Sequence, residues 1–388
     1  MAYVGADGGE LLVIGTLDYA DPDGDIESLV IVVSDETGQI IDDITTPIEG
    51  VAGSTSGTLE GELVADTSIA GTYTVQVKVT DSENHYSNQL EDTFRIAEFP
   101  WVARQPMLLP RRDFATATLN GRIYVIGGGD VMAGGVPAPP TTTVEVYNPE
   151  TDSWTFATPM LRAVTNHAAV ALDGKIYVVG GEEDFLPMSG AVQEYDPATQ
   201  LWTLRASMQT PREGAAAAAF DGRIYVIGGT SGGMDIGTVE AYDPATDSWA
   251  SLPPLTEPRR DLSAEVVGDE LMALGGHTGS YALDAGYRRV VEVYDPVDNV
   301  WLGAADMLLP RADFASAVVA TELIIAGGSN WARGLSDVSS LDPASGNWRM
   351  RTAMPTELAW PRGESVGGSL YVFDTEVTYQ YNPDNDLL

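Results

Sequence analysis

Met208 to Trp249 reads MQTPREGAAAAAFDGRIYVIGGTSGGMDIGTVEAYDPATDSW. Gly214 to Phe220 is a run of mostly small apolar residues, which suits a first strand. Asp221-Gly222 is a two-residue hairpin turn, because Gly accepts positive φ freely and Asp nearly does. Arg223 to Ile227 is rich in β-branched and aromatic residues and reads as a second strand. Gly228-Gly229 stops it. Thr238 to Tyr242 is a third strand, Asp243 to Asp247 has turn chemistry at nearly every position, and Ser248-Trp249 opens a fourth. The unit is one small antiparallel sheet.

The same unit recurs. Arg122 to Gly128, Lys175 to Gly181, Leu271 to Gly276 and Leu323 to Gly328 repeat the second strand with its double glycine, and Leu370 to Asp374 is a degraded copy. The tyrosine, turn and tryptophan series recurs at Tyr147 and Trp154, Tyr195 and Trp202, Tyr294 and Trp301, and, with Leu for Tyr, at Leu341 and Trp348. Trp101, Trp154, Trp202, Trp249, Trp301 and Trp348 are spaced by 47 to 53 residues. A period near fifty with a double glycine and a late Trp resembles the kelch-repeat family from about Trp101 onward, and that resemblance implies a β-propeller.

The number of blades follows from the ends. Each repeating Trp precedes a Met or Leu by six residues, as in Trp154 and Met160 or Trp249 and Leu255. Trp101 and Met107 obey the rule with no first three strands before them. The last copy, residues 358–383, has three strands and no closing Trp. The two fragments complement each other, so the expectation is all-β with six blades over 98–388, the strand around Trp101 completing the last blade and leaving no open sheet edge.

Residues 1–97 lack the repeat. Strand-like runs at Gly9–Leu17, Leu29–Ser34, Thr72–Thr80 and Asp92–Ile96, with Gly, Asp and Pro between them, suggest a β-sandwich. Ala70 to Asp81 and Asp21 to Asp25 resemble parts of bacterial immunoglobulin-like and cadherin-like modules. That resemblance implies an extracellular or cell-surface protein whose leader peptide is absent from this chain. Asp21, Asp23 and Asp25 place three hard carboxylates around Gly24, so either a Ca²⁺ site or a solvated acidic turn fits them. No other cofactor is expected.

With 388 residues and 44% hydrophobic content the chain can bury a large core. It has no Cys, hence no disulfide framework, and no apolar run long enough for a membrane-inserted helix. The net charge of −37 repels nucleic acid and anionic membrane alike. Such acidity suits either solubility in salt or an acidic extracellular protein from a GC-rich genome.

In a propeller the residues that open each first strand and those after each double glycine share one face. Arg111, Val164, Arg212, Arg259, Arg311 and Leu358 align at one position of that opening. Asp113, Asn166, Gly214, Asp261, Asp313 and Trp360 align two positions on, and His277 and Trp331 follow double glycines. Two readings stay open. The arginines line a pore mouth that binds a carboxylate, an acidic peptide or a glycan, with Trp331 and Trp360 stacking on it, or Arg–Asp pairs hold the ring together. Glu145, Glu240 and Glu292 read as solvated or ladder-bonded strand residues.

Three functions are weighed. The first is a non-enzymatic binding module for a protein or glycan partner, and the second a structural part of a surface assembly. The third is a sugar mutarotase of the sialic-acid type, implied by the family alone, with Glu213 beside Arg212 as the nearest match. A copper radical oxidase is excluded by the absence of Cys.

Overall fold

The computed structural model describes the backbone of the strands between residues 2 and 96, and residues 100–386 apart from 132–136, 184–187, 280–285 and 331–332. It divides into two compact units, Met1–Phe99 and Pro100–Asp386. In the first unit Ala2–Gly5, Glu10–Ala20 and Ser56–Asp66 form one antiparallel sheet. Ile40–Pro47, Ile26–Ser34, Gly71–Asp81 and Tyr86–Ile96 form another, in that order. Asp21, Asp23 and Asp25 lie outside the described residues, as does Trp331.

The second unit is a six-bladed propeller of four-stranded antiparallel sheets, blades 1 to 5 beginning with the strands Ala115–Leu119, Ala168–Leu172, Ala216–Phe220, Ser263–Val267 and Ala315–Val319. Blade 3 shows how the repeat makes a blade. Ala216–Phe220 pairs with Arg223–Ile227 across Asp221 and Gly222, whose φ values of 48° and 69° are the two positive angles a tight hairpin needs. Val239–Asp243 and Ser248–Leu252 add the outer strands. Ile224, Val226 and Ile227 are fully buried, because the second strand is covered on both faces by neighbouring blades. That explains its unbroken apolar run, each side chain of which contributes about 1.5–3 kcal/mol on burial. The first strands of successive blades touch one another all round the axis, blade 6 with blade 1 included. Their small residues let six strands converge.

The double glycine joins blades. At Gly228 and Gly229 φ is 66° and 99°, and a Cβ on either would lie 2.5 or 2.6 Å from a backbone oxygen, Arg259 O and Glu213 O respectively. The Gly229 amide donates to Arg259 O of the next blade at 2.9 Å. Each of the six repeating tryptophans does the converse, its indole N–H reaching back to the segment that leads into its blade, as Trp249 to Ala206 O at 2.8 Å and Trp154 to Gln105 O at 2.8 Å.

Blade 6 is assembled from two distant pieces of chain. Arg362–Val366, Ser369–Phe373 and Thr378–Tyr381 supply three strands, and Trp101–Arg104 is the fourth, with Tyr381 opposite Trp101. The Trp101 and Tyr381 rings sit 4.7 Å apart, like the Tyr147–Trp154 pair of blade 1 at 4.9 Å. The Trp101 indole donates to Thr352 O at 2.9 Å, so this strand carries the same aromatic and hydrogen-bond contacts as its counterparts.

Candidate functional site

Five residues open five of the first strands with left-handed backbone: Asp113, Asn166, Gly214, Asp261 and Asp313, at φ between 50° and 59°. Asp and Asn tolerate this region because their side chains are short and polar. Their amides form a chain of hydrogen bonds around the axis: Asn166 to Asp113 O, Gly214 to Asn166 O, Asp261 to Gly214 O and Asp313 to Asp261 O, at 2.8–3.0 Å. The ring rims a cavity of about 1330 Å³, which Glu213, Thr230, Asp235, Glu257, Arg260, Arg288, Ser329, Arg333 and Trp360 also line.

The arginines expected at this mouth are elsewhere. Arg111, Arg212, Arg259 and Arg311 are all 0% exposed and none lines the cavity. Each guanidinium turns into its own blade. Arg111 reaches Glu145 at 2.9 Å and the carbonyls of Gly127 and Thr143. Arg212 pairs with Glu240, and Arg259 with Glu292. The carboxylates also accept backbone amides, Leu108 on Glu145, Gln209 on Glu240 and Thr256 on Glu292, each at 2.8 Å. The pairing is therefore structural, but with third-strand glutamates rather than the aspartates expected, and of the two readings given for those glutamates they are hydrogen-bonded and buried rather than solvated. A backbone opening that points the residue at the Asp113 position to the axis sends the one two places earlier into the blade.

His277 is also buried, its ring 4.7 Å from that of Tyr287 in an edge-to-face contact, and burial holds its imidazole down at about 4. Glu213 and Arg212 do not share a site: the first lines the cavity, the second lies in the blade. Trp360, at 49% exposure, stands at the cavity.

What remains of the expected face is acidic. Burial pushes the Glu213 carboxyl up to about 7, with Glu182 and Asp261 adding to the effect. Asp313 is raised by burial and by the neighbouring Asp261, against the pull of Arg362 at 3.5 Å. The cavity's own cations are engaged, Arg260 with Asp235 and Asp261, Arg288 with Glu257 at 2.7 Å. Six carboxyl groups thus face three guanidinium groups. Glu213, Glu257 and the cations beside them carried no repeat signal, because they vary from blade to blade.

Comparison with known proteins agrees with this architecture. The KLHDC2/KLHL20/DRC7 Kelch-repeats domain matches residues 114–302 and again 166–378. An F-box/kelch-repeat protein of Arabidopsis thaliana is 39% identical over 85 residues, 22% of this chain and 21% of its own. Kelch repeat and BTB domain-containing protein 12 of Homo sapiens is 35% identical over 121 residues, 29% of this chain and 19% of its own. The chain thus spans about a fifth of the length of the curated relatives it matches. The solved structure of YjhT shares the fold with a TM-score of 0.55 at 17% identity, covering 72% of this chain and 94% of YjhT. From the repeat, the six closed blades and a family match that runs over more than half of its length, the chain belongs to the kelch-repeat family.

Proposed function

We propose that the propeller is a protein-interaction module whose axial cavity receives a basic segment of its partner. The observation that carries this is the charge of the cavity: six carboxyl groups, three of them in the ring at its rim, against three guanidinium groups already engaged by acidic neighbours. An entering Lys or Arg side chain would gain charge-assisted hydrogen bonds, each worth about 1.5–3 kcal/mol. The overall charge of −37 adds long-range attraction for a cationic partner. On this reading the N-terminal unit is an immunoglobulin-like spacer, and severing the 97–101 join leaves affinity unchanged.

The test is fluorescence polarisation with short peptides of permuted charge. Lys- or Arg-bearing peptides bind, acidic ones do not, and added salt weakens the binding. Glu213→Gln with Asp313→Asn lowers affinity by about ten- to a hundredfold. Preference for acidic peptides, or indifference to both substitutions, overturns the reading. Trp360, half-exposed at the cavity, favours one alternative, a sugar face stacked on the indole. Saturation by neutral glycans and its loss in Trp360→Ala would decide for it.

A further inference from the structure

The socket that receives the buried arginine can be compared across all six blades. In blades 1, 3 and 4 it holds Arg and Glu: Arg111 with Glu145, Arg212 with Glu240, Arg259 with Glu292. Where the arginine is gone, the acid is gone too. Blade 2 has Val164 with Gln193, whose amide accepts from the Arg162 N–H at 2.8 Å and donates to Arg162 O at 3.1 Å. Blade 6 has Leu358 with Tyr379, whose hydroxyl lies 3.3 Å from that of Thr356. The charges enter and leave the socket together in five blades.

Blade 5 breaks this rule. It keeps Arg311 and places Ser339 where the glutamate stands elsewhere, both 0% exposed. Arg311 Nη1 donates to Gly327 O at 2.8 Å and to Asp337 O at 3.1 Å, which anchors the guanidinium as in blades 1 and 3. Its Nη2, the atom that meets Glu145 and Glu240 in those blades, has no partner among the described residues, and neither has Ser339 Oγ. Among the described residues no carboxylate forms an ion pair with it; Asp337 acts on it only at longer range. The segment leading into the socket is identical to that of blade 1, Met307-Leu-Leu-Pro-Arg311 against Met107-Leu-Leu-Pro-Arg111. In blade 1 the Leu108 and Leu109 amides close on Glu145 at 2.8 and 3.3 Å. The same two amides of blade 5, Leu308 and Leu309, donate to no group among the described residues.

By the register of blade 1, a buried guanidinium edge and a buried hydroxyl meet two amides nearer the surface, with no acceptor for them among the described residues. Burial lowers the Arg311 guanidinium to about 10, so it still carries its proton at neutral pH. An uncompensated buried charge costs several kcal/mol, and convergent donors of this kind form an anion nest. Ser lacks the carboxylate-bearing arm of Glu, so blade 5 has no carboxylate of its own at the position that Glu145 fills in blade 1.

We propose that blade 5 binds one small monovalent anion of the halide class, held by Arg311, the Leu308 and Leu309 amides and Ser339 where blade 1 holds its own Glu145 carboxylate. The ion is singly charged because it matches one guanidinium, and small because it stands in for a single carboxylate group.

The experiment is a set of thermal melts of the full chain followed by tryptophan fluorescence, which reports the propeller because all eight tryptophans lie at or beyond Trp101. Gluconate is replaced by chloride or bromide at constant ionic strength. The wild type is expected to melt about 2–5 °C higher in halide, since an ion that binds only the folded state stabilises it. Ser339→Glu supplies the carboxylate in cis, and should melt higher than wild type in gluconate and lose the halide response. Arg311→Leu, which imitates blade 6, should lose the response as well and keeps the test open if Ser339→Glu does not fold. A bromide-soaked crystal should show an anomalous peak beside Arg311 Nη2. A wild type indifferent to halide, a response of equal size in all three proteins, or a bromide soak with no peak at Nη2 overturns the proposal.

Discussion

Blade 1 and blade 5 start from the same five residues and end in different chemistry. In blade 1 Arg111 has Glu145, and the Tyr147 hydroxyl has Asp152 at 2.7 Å. In blade 5 the tyrosine position is Leu341 and the aspartate position is Gly346, so that pair has disappeared as a unit. The backbone there is left-handed in both, φ 48° at Asp152 and 69° at Gly346, so the turn survives the loss of its hydrogen bond. The difference teaches that a repeat is held by partnered sets rather than by single residues. A blade can drop a whole set and keep its shape, but a half-set leaves a buried group to be satisfied by something else. Only Arg311 of the four arginines is left in that condition among the described residues.

The largest effect should come from making blade 1 resemble blade 5. Glu145→Ala strands the Arg111 guanidinium together with the Leu108 and Leu109 amides, and a broken buried pair costs about 3–5 kcal/mol. Ser339→Ala in blade 5 removes a hydroxyl that has no partner among the described residues, and should stay within about 0.5 kcal/mol in halide-free buffer. Urea unfolding of the two variants measures the difference. Equal losses would mean that Glu145 stabilises blade 1 through packing and not as a counter-charge.

The next effect tests whether the set is the unit. Arg111→Val and Glu145→Gln are each destabilising, because each leaves one charge behind. Made together they convert the socket of blade 1 into that of blade 2, Val164 with Gln193, and most of the loss should return. The expected coupling is about 2–3 kcal/mol in a double-mutant cycle. Additive losses would show that the two residues do not act as a pair, whatever their separation of 2.9 Å suggests.

Much of this architecture is legible in the repeat and some of it is not, for a physical reason. Asp221-Gly222, the double glycines and the Tyr-to-Trp spacing act over a few residues, so their meaning is contained in their own short stretch. The partners of the arginines come from the third strand, on the far side of a variable loop. The signal was present all the same: Arg111 with Glu145, Arg212 with Glu240 and Arg259 with Glu292 change together to Val164 with Gln193 and Leu358 with Tyr379. Reading the arginines against the nearby Asp113, Asp261 and Asp313 missed it, because left-handed backbone at those aspartates separates the two side chains. The cavity's Glu257, Arg260 and Arg288 were less legible still, since no periodicity marks a residue that serves one blade only. Asp21, Asp23 and Asp25 lie outside the described residues.

The smallest effect returns to blades 1 and 5 at their first strands, where each lends a hydroxyl to a neighbouring carboxyl. Thr118 of blade 1 donates to Glu364 at 2.7 Å, and Ser316 of blade 5 donates to Glu265 at 2.6 Å. Burial raises both carboxyls, Glu265 to about 7, while the hydroxyl bonds oppose the rise. An unfolded Glu titrates near 4.3. Between roughly pH 4.3 and 7 the folded protein therefore holds a proton on Glu265 that the unfolded chain has released. The stability this proton confers is complete below the lower value, declines as pH rises through the window and is gone above the upper one. Glu265 is only half-buried by direct exposure and faces the axial channel, so water there screens the charge and reduces the span to about 1 kcal/mol. Glu265→Gln should flatten this part of the stability-against-pH curve. Ser316→Ala should move the decline to higher pH, because the carboxylate loses the hydroxyl that favours its charged form. A slope unchanged in Glu265→Gln would assign the titration to Glu213 or Glu364 instead. A decline that moves to lower pH in Ser316→Ala would mean that the hydroxyl serves the protonated carboxyl rather than the charged one.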